Sequence, residues 1–138
     1  MNIILKNALV FILAFVLGSI ANMALILLGG VLIPSPAGGD TTTMEGLKAV
    51  MSQMGPQHFL FPFLAHAVGS LVGGFIVGKF GEKVTLYLAI GIGALFFAGG
   101  AFNVAVLPSP LWFTILDLAV AYFPMAYFGY FLSAKKPN

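Results

Sequence analysis

Four strongly polar side chains lie inside the apolar stretches of this sequence, one in each stretch: Asn22, His66, Asn103 and Asp117. Such groups are costly in an apolar interior, so we expect them to face one another or water. An aspartate in contact with a histidine can take up and release a proton, which suits ion transport or proton-coupled transport. The alternative is structural, because the same pair can form a hydrogen bond that fixes helix packing.

Small or hydroxylated residues flank these polar residues at helical spacing. Ser70 lies one turn after His66, and Thr114 precedes Asp117 by almost one turn. At about 1.5 Å per residue, the polar residues also fall within one half of the bilayer. The sequence therefore predicts one buried polar site in the outer half of the membrane. Its members are Asp117, His66, Asn22, Asn103, Thr114 and Ser70.

Several kinds of chemistry have no counterpart in the sequence. It contains no cysteine, which excludes thiolate metal sites and cysteine nucleophiles. Neither a zinc-protease motif nor a Ser-His-Asp arrangement nor a phosphate-binding glycine loop can be assembled. His58 and His66 are out of helical phase and poorly placed to share a metal ion. We therefore expect no enzyme activity, no metal, no cofactor and no nucleic-acid partner.

The composition identifies the solvent of the chain. Of its residues, 60% are hydrophobic and 7% are charged, whereas a soluble domain carries about 25% charged residues. Lipid must therefore surround most of the chain. The apolar stretches predict a single all-α domain over residues 1–138, a four-transmembrane-helix bundle. Its spans are expected at about 4–33, 58–78, 84–107 and 111–133.

The segment between the first two spans has amphipathic spacing. Apolar residues recur at helical intervals from Met44 to Met54, with polar residues between them. This pattern predicts a short surface helix over about 43–54 on the outer face of the membrane. A flexible linker is the alternative.

Lysines indicate the orientation, because cytoplasmic loops are enriched in them. Five lysines fall at one end of the predicted bundle, and Lys48 falls at the other. The sequence thus predicts a multi-pass protein of the cell (inner) membrane with both termini in the cytoplasm. The five are Lys6, Lys79, Lys83, Lys135 and Lys136.

Glycines at four-residue spacing predict close helix packing, since small residues let membrane helices approach one another. The second span carries two such stripes, one of which could serve a neighbouring subunit. Besides the lipid bilayer, we therefore expect a homo-oligomer or another membrane protein as partner. The packing glycines are Gly18, Gly69, Gly73, Gly74, Gly78 and Gly99.

Three functions agree with these features. The first is a small channel, transporter or proton-linked carrier with His66 and Asp117 on its path. The second is an accessory or assembly subunit of a larger membrane complex. The third is binding of a lipid, a quinone or haem, although haem on His66 would need a second axial ligand. A wall of phenylalanines suggests the third function: Phe59, Phe61, Phe63, Phe96 and Phe97.

Overall fold

The computed structural model describes residues 2–133, which form helices and turns and contain no strands. Four stretches are long and apolar enough to cross a membrane: Ile3–Leu32, Pro56–Phe80, Thr85–Val106 and Leu111–Ser133. The predicted all-α architecture with four membrane-spanning stretches is therefore confirmed. The helices are α1 (Ile3–Leu32), α2 (Met44–Met51), α3 (Leu60–Phe80), α4 (Thr85–Val106), α5 (Leu111–Val120) and α6 (Phe123–Ser133).

Helix α3 lies at the centre of the bundle. It packs along α1 and along α6, and it also contacts α4. Helix α4 in turn packs on α6, whereas α1 has few contacts with any helix other than α3. Helix α1 is therefore the peripheral helix, and most of its large apolar side chains are exposed.

Glycines make the central position of α3 possible. Gly18 of α1 and Gly69 of α3 face each other so closely that a Cβ on Gly18 would lie 2.6 Å from the Gly69 carbonyl oxygen. Towards α6, a Cβ on Gly74 would lie 1.9 Å from the carbonyl oxygen of Ala126. Such close approach gives the helices van der Waals contact, which holds them together where lipid provides no hydrophobic force.

Both glycine stripes of α3 are used within the chain. Gly73 packs against α4 and α1, and Gly78 packs against α6, so in the described residues neither stripe is left free for a neighbouring subunit. The packing contact predicted for Gly99 is not found within the described chain, because this residue lies on the exposed face of α4 with open space around it. The next residue, Gly100, differs from it by about 100° in helical phase and is buried, as is Gly93 on the same helix.

The fourth span is divided, although its apolar pattern predicted one continuous helix. A turn at Ala121 and Tyr122 separates α5 from α6. The cause is Pro124, which has no N–H to donate to the carbonyl group of Val120 and whose ring crowds that carbonyl. The hydrogen bond from Ala126 N to Tyr122 O, at 2.8 Å, restarts the helix.

A polar clamp joins the start of α1 to the turn between α3 and α4. Asn7 is 7% exposed, and its Nδ2 donates to Glu82 O at 3.0 Å while Glu82 N donates to its Oδ1 at 2.9 Å. Lys6 forms an ion pair with the Glu82 carboxylate. These contacts fix the first turn of α1 at the same end of the bundle as the α3–α4 turn.

The short helix α2 packs across the opposite end of the bundle. Thr43 caps it, since its hydroxyl oxygen accepts a hydrogen bond of 3.0 Å from a backbone N–H of the first turn. Met51 is buried against Phe113 of α5. The amphipathic segment is therefore helical, over Met44–Met51 instead of the predicted 43–54.

We predict that Gly74→Ala destabilises the bundle, because the added methyl group would collide with the backbone of α6. Overpacking costs about 1–3 kcal/mol, which outweighs a helix-propensity gain of about 1 kcal/mol. The measurement is a thermal or SDS-induced unfolding curve of the purified protein. Gly99→Ala is the matched control, since it adds the same methyl group in open space and should leave stability equal or slightly higher. Equal losses in the two variants would contradict the packing of α3 on α6.

Candidate functional site

The two ionisable residues predicted for the buried site are in contact. His66 lies in the second turn of α3, and Asp117 lies on α5. His66 Nδ1 is 2.8 Å from Asp117 Oδ1 and 3.0 Å from Asp117 Oδ2. Asp117 is only 3% exposed, so protein atoms must supply most of the polar contacts that its carboxylate would otherwise make with water.

A tyrosine completes the cluster. The hydroxyl of Tyr122 donates to Asp117 Oδ2 at 2.7 Å, and its oxygen is 2.9 Å from His66 Nδ1. In a regular helix, side chains five residues apart point about 140° away from each other. The break in the fourth span is therefore what brings Tyr122 onto Asp117. We refer to Asp117, His66 and Tyr122 as the polar triad.

Tyr122 was not predicted as a site residue. Tyrosines of membrane proteins are enriched at the two interfaces, so the residue type alone indicates a contact with lipid headgroups and not a buried polar site. The available signal was its position near the middle of a span, two residues before Pro124 and five after Asp117. A tyrosine at this depth needs a hydrogen-bond partner, because its hydroxyl would otherwise be unsatisfied in hydrocarbon.

Packing holds the tyrosine in place. Gly100 on α4 leaves the space that the hydroxyl occupies, since a Cβ there would lie 2.1 Å from the Tyr122 oxygen. The rings of His66 and Tyr122 stack with their centroids 5.5 Å apart, and the ring of Phe97 meets Tyr122 edge-on at 5.9 Å. These contacts orient the hydroxyl towards the carboxylate.

The hydrogen bonds determine which atom the triad offers to a ligand. Asp117 accepts from the Tyr122 hydroxyl and from the His66 Nδ1–H. Every side-chain hydrogen bond of His66 involves Nδ1. Among the described residues, Ser70 Oγ is the one buried side-chain polar atom without a partner. His66 Nε2 also has no hydrogen-bond partner among the described residues, but it does not belong to the buried atoms. It is therefore accessible, and the imidazole ring lines a cavity.

Two residues of the triad, His66 and Asp117, line the inner end of this cavity, which has a volume of about 450 Å³. Small-molecule sites typically have volumes of about 300–1,000 Å³. His66, Asp117 and Asn103 provide its deep polar groups, and Asp40 to Thr42 and Gln57 to His58 lie around its mouth. The remaining walls are mainly apolar and include Ile26, Ile33, Met51, Met54, Phe59, Phe61, Val104, Leu107 and Phe113.

The other residues predicted for the site lie apart from the triad. Asn103 lines the cavity. Asn22 packs against Gly69 at the contact between α1 and α3. Ser70 is completely buried at 0% exposure, and Thr114 is half-buried on α5 outside the cavity lining. Of the six predicted residues, the structure thus brings His66 and Asp117 into direct contact.

The predicted phenylalanine wall is divided between two environments. Phe59 and Phe61 line the cavity. Phe63, Phe96 and Phe97 instead pack inside the bundle against the cluster that contains Tyr122. The aromatic surface available to a lipid or a quinone in the cavity is therefore smaller than the sequence predicted.

No group of three or more histidine, aspartate or glutamate side chains in residues 2–133 could hold a metal ion. We compared the chain with protein families, with curated proteins and with solved structures, and none of the three comparisons gave a match. The inferences about function therefore depend on the geometry of the polar triad and its cavity.

We predict that Tyr122→Phe and Asp117→Asn are energetically coupled, because the first removes the donor of their shared hydrogen bond and the second replaces its charged acceptor with a neutral amide. In membrane proteins such coupling averages about 0.6 kcal/mol and reaches about 1.7 kcal/mol. A double-mutant cycle of unfolding free energies measures it. Tyr127→Phe is the matched control, since Tyr127 is exposed on α6. A coupling energy no larger than that of the control would mean that the Tyr122 bond does not stabilise the fold.

Proposed function

We propose that this protein is a small membrane carrier that couples the movement of a solute to a proton, with the polar triad at its binding site. One observation carries the proposal: Asp117 and His66, an acid and a base, meet at the inner end of the cavity. Ionisable pairs inside membrane spans mark proton relays and substrate pathways in transporters. The cavity gives this pair access to solute and to protons.

Access from one end favours a carrier over an open pore. Beyond the triad, the half of the bundle near the α3–α4 turn is filled by an apolar core in which no residue is more than 8% exposed. Alternating access requires a site that is open to one side while it is closed to the other. The core consists of Val10, Ala14, Val77, Ala89 and Ile92.

The broken fourth span also supports a carrier. Binding sites of transporters are often formed by discontinuous helices near the middle of the membrane. Tyr122 belongs both to the break and to the triad. A movement of α6 relative to α5 would therefore change the hydrogen bonds to Asp117, and this change would link access to proton binding.

We further propose that both termini face the cytoplasm. The end of the bundle with the α3–α4 turn carries Lys6, Lys79 and Lys83, whereas the cavity end carries Lys48. Cytoplasmic loops are enriched in lysine, so the cavity and α2 face the outside of the cell membrane in this orientation. The two lysines at 135–136 that contribute to the same prediction lie outside the described residues.

An accessory role in a larger membrane complex is the alternative. The peripheral position of α1 favours it, because this helix exposes large apolar side chains along its whole length. Lipid covers such a face equally well. A stoichiometric partner chain retained after mild extraction would support this alternative, and a native mass made up only of copies of this chain would oppose it.

We predict that Asp117→Asn abolishes solute-driven proton movement, because the amide keeps the shape of the carboxylate but does not take up its proton. Proteoliposomes loaded with a pH-sensitive dye are exposed in turn to small amines, weak acids and neutral compounds. The wild-type protein should respond to at least one class of solute, and the variant should respond to none.

Glu45→Gln is the matched control for this experiment. It also removes one negative charge, from an exposed residue of α2 that does not line the cavity, and it should keep the wild-type response. Size-exclusion profiles of all three proteins establish that they are folded alike. A wild-type protein without any response, or an unchanged response in folded Asp117→Asn, would refute the carrier.

We predict that Ser52→Cys is labelled from outside the cell and Val84→Cys is not. The chain has no cysteine of its own, so each variant reports one exposed position, after α2 or in the α3–α4 turn. A membrane-impermeant maleimide applied to intact cells should react with Ser52→Cys, and with Val84→Cys only once the membrane is opened. The reverse result would show that the α3–α4 turn, and not α2, faces the outside of the cell.

A further inference from the structure

The charged side chains that line the cavity are acidic. Asp117 lies at its inner end and Asp40 at its mouth, and no lysine is found among the described lining residues. The Asp40 carboxylate accepts hydrogen bonds from Thr42 N at 2.8 Å and from Thr42 Oγ1 at 2.6 Å. These bonds lower the pKa of the Asp40 carboxyl, so this group remains anionic at neutral pH. The cavity thus presents negative charge at both of its ends.

From this arrangement we infer that the cavity binds a small amphiphilic organic cation, an ammonium group on an apolar body. We further infer that this cation and a proton compete for the Asp117–His66 pair. The inference rests on the proposed carrier function for its link to transport, and it specifies the substrate class of that carrier.

The polar groups at the inner end of the cavity match an ammonium group. The Asp117 carboxylate attracts its positive charge, and an ammonium N–H can donate to the accessible Nε2 of neutral His66. An anionic substrate would meet the Asp117 carboxylate, and no described lysine at the lining would offset the repulsion. A hard metal cation such as Ca²⁺ would need six or more oxygen ligands, which the apolar walls do not supply, and no group of three or more histidine, aspartate or glutamate side chains in residues 2–133 could hold a metal ion.

The walls of the cavity match the apolar body of such a ligand. Phe59, Phe61 and Phe113 line it together with aliphatic side chains. Aromatic faces attract organic cations and also pack well on apolar groups. The carboxylate–ammonium attraction is stronger here than in bulk water, because the surroundings have a lower effective dielectric constant.

Proton binding opposes cation binding for an electrostatic reason. A proton on the Asp117–His66 pair cancels its negative charge, and it converts Nε2 from an acceptor into a donor when it resides on the imidazole. A cation that displaces the proton from the protonated pair therefore exchanges one proton for one cation, as a proton/cation exchanger requires. Helices α1 and α4 contribute only uncharged residues to the lining. The titratable or charged groups around Asp117 and along its cavity are His66, Tyr122, His58 and Asp40.

Three fluorinated probes of one shape test the inference: 4-fluorobenzylamine, 4-fluorobenzyl alcohol and 4-fluorobenzoate. At neutral pH they are cationic, neutral and anionic. Binding to the full chain in lipid nanodiscs is followed by fluorine NMR titration, with protein-free nanodiscs as the blank. The amine should bind at least about tenfold more tightly than the alcohol, because it adds a charge-assisted interaction. The benzoate should show no saturable binding.

The site of binding is tested with the charge variants. Asp117→Asn should weaken amine binding about tenfold or more and weaken alcohol binding much less, because the alcohol carries no charge. Glu45→Gln should change neither. In the wild-type protein, acidification should weaken amine binding by up to about tenfold per pH unit once the pair is protonated, while alcohol binding stays constant. This last measurement decides the question even if Asp117→Asn does not fold.

Equal binding of amine and alcohol, saturable binding of the benzoate, or amine binding that is independent of pH would each overturn the inference. Its failure is distinguishable from failure of the carrier. Amine binding without proton movement in proteoliposomes would support the cation site and refute the carrier function. Proton movement driven by other solutes, without amine binding, would support the carrier function and refute organic cations as its substrates.

Discussion

The carboxylate of Asp117 is the group around which the interior is organised. An aspartate at the centre of a membrane helix costs about 2.5–3.5 kcal/mol, so the surrounding protein must replace water. His66 and Tyr122 do this by donating to both carboxylate oxygens. Tyr122 reaches its position because Pro124 interrupts the fourth span, and its hydroxyl fits because Gly100 has no side chain. One buried carboxylate thus explains the break in the fourth span, the glycine at position 100 and the stacking of the His66 and Tyr122 rings.

The close packing of α3 gives this arrangement its rigidity. Helices in lipid associate through van der Waals contact and hydrogen bonds, without a hydrophobic force between them. Backbone contacts such as those of Gly69 with α1 and Gly74 with α6 therefore determine the depth and rotation of α3, and hence of His66. In the half of the bundle near the α3–α4 turn, the same packing leaves an apolar core, whereas loops and the short α2 close the other end less completely. The position of the cavity at that end of the bundle follows from this difference.

The sequence was sufficient for the spans and for the His66–Asp117 contact, because long apolar stretches and rare ionisable residues are strong signals. It was insufficient for the break. Pro62 lies in the first turn of α3, where no backbone N–H is needed, and it leaves the helix intact. Pro124 divides the fourth span. The residue type alone does not show which proline breaks a helix. The position of the Tyr122 hydroxyl beside Asp117 depends on that break. Whether Gly99 or Gly100 faces a neighbouring helix depends on the rotation of α4 about its axis. The spacing of glycines along the chain does not reveal this rotation.

The clamp between Asn7 and Glu82 has a consequence for how the protein is made. Its partners are 75 residues apart, so α1 enters the bilayer well before the α3–α4 turn leaves the ribosome. Helix α1 is apolar on nearly all sides and tolerates this interval in lipid. The face of α3 that carries Gly74 and Gly78 then has no partner helix until the fourth span arrives. The contact between His66 and Asp117 and the cavity beside it form together in this final docking step, so an unfinished chain contains neither of them.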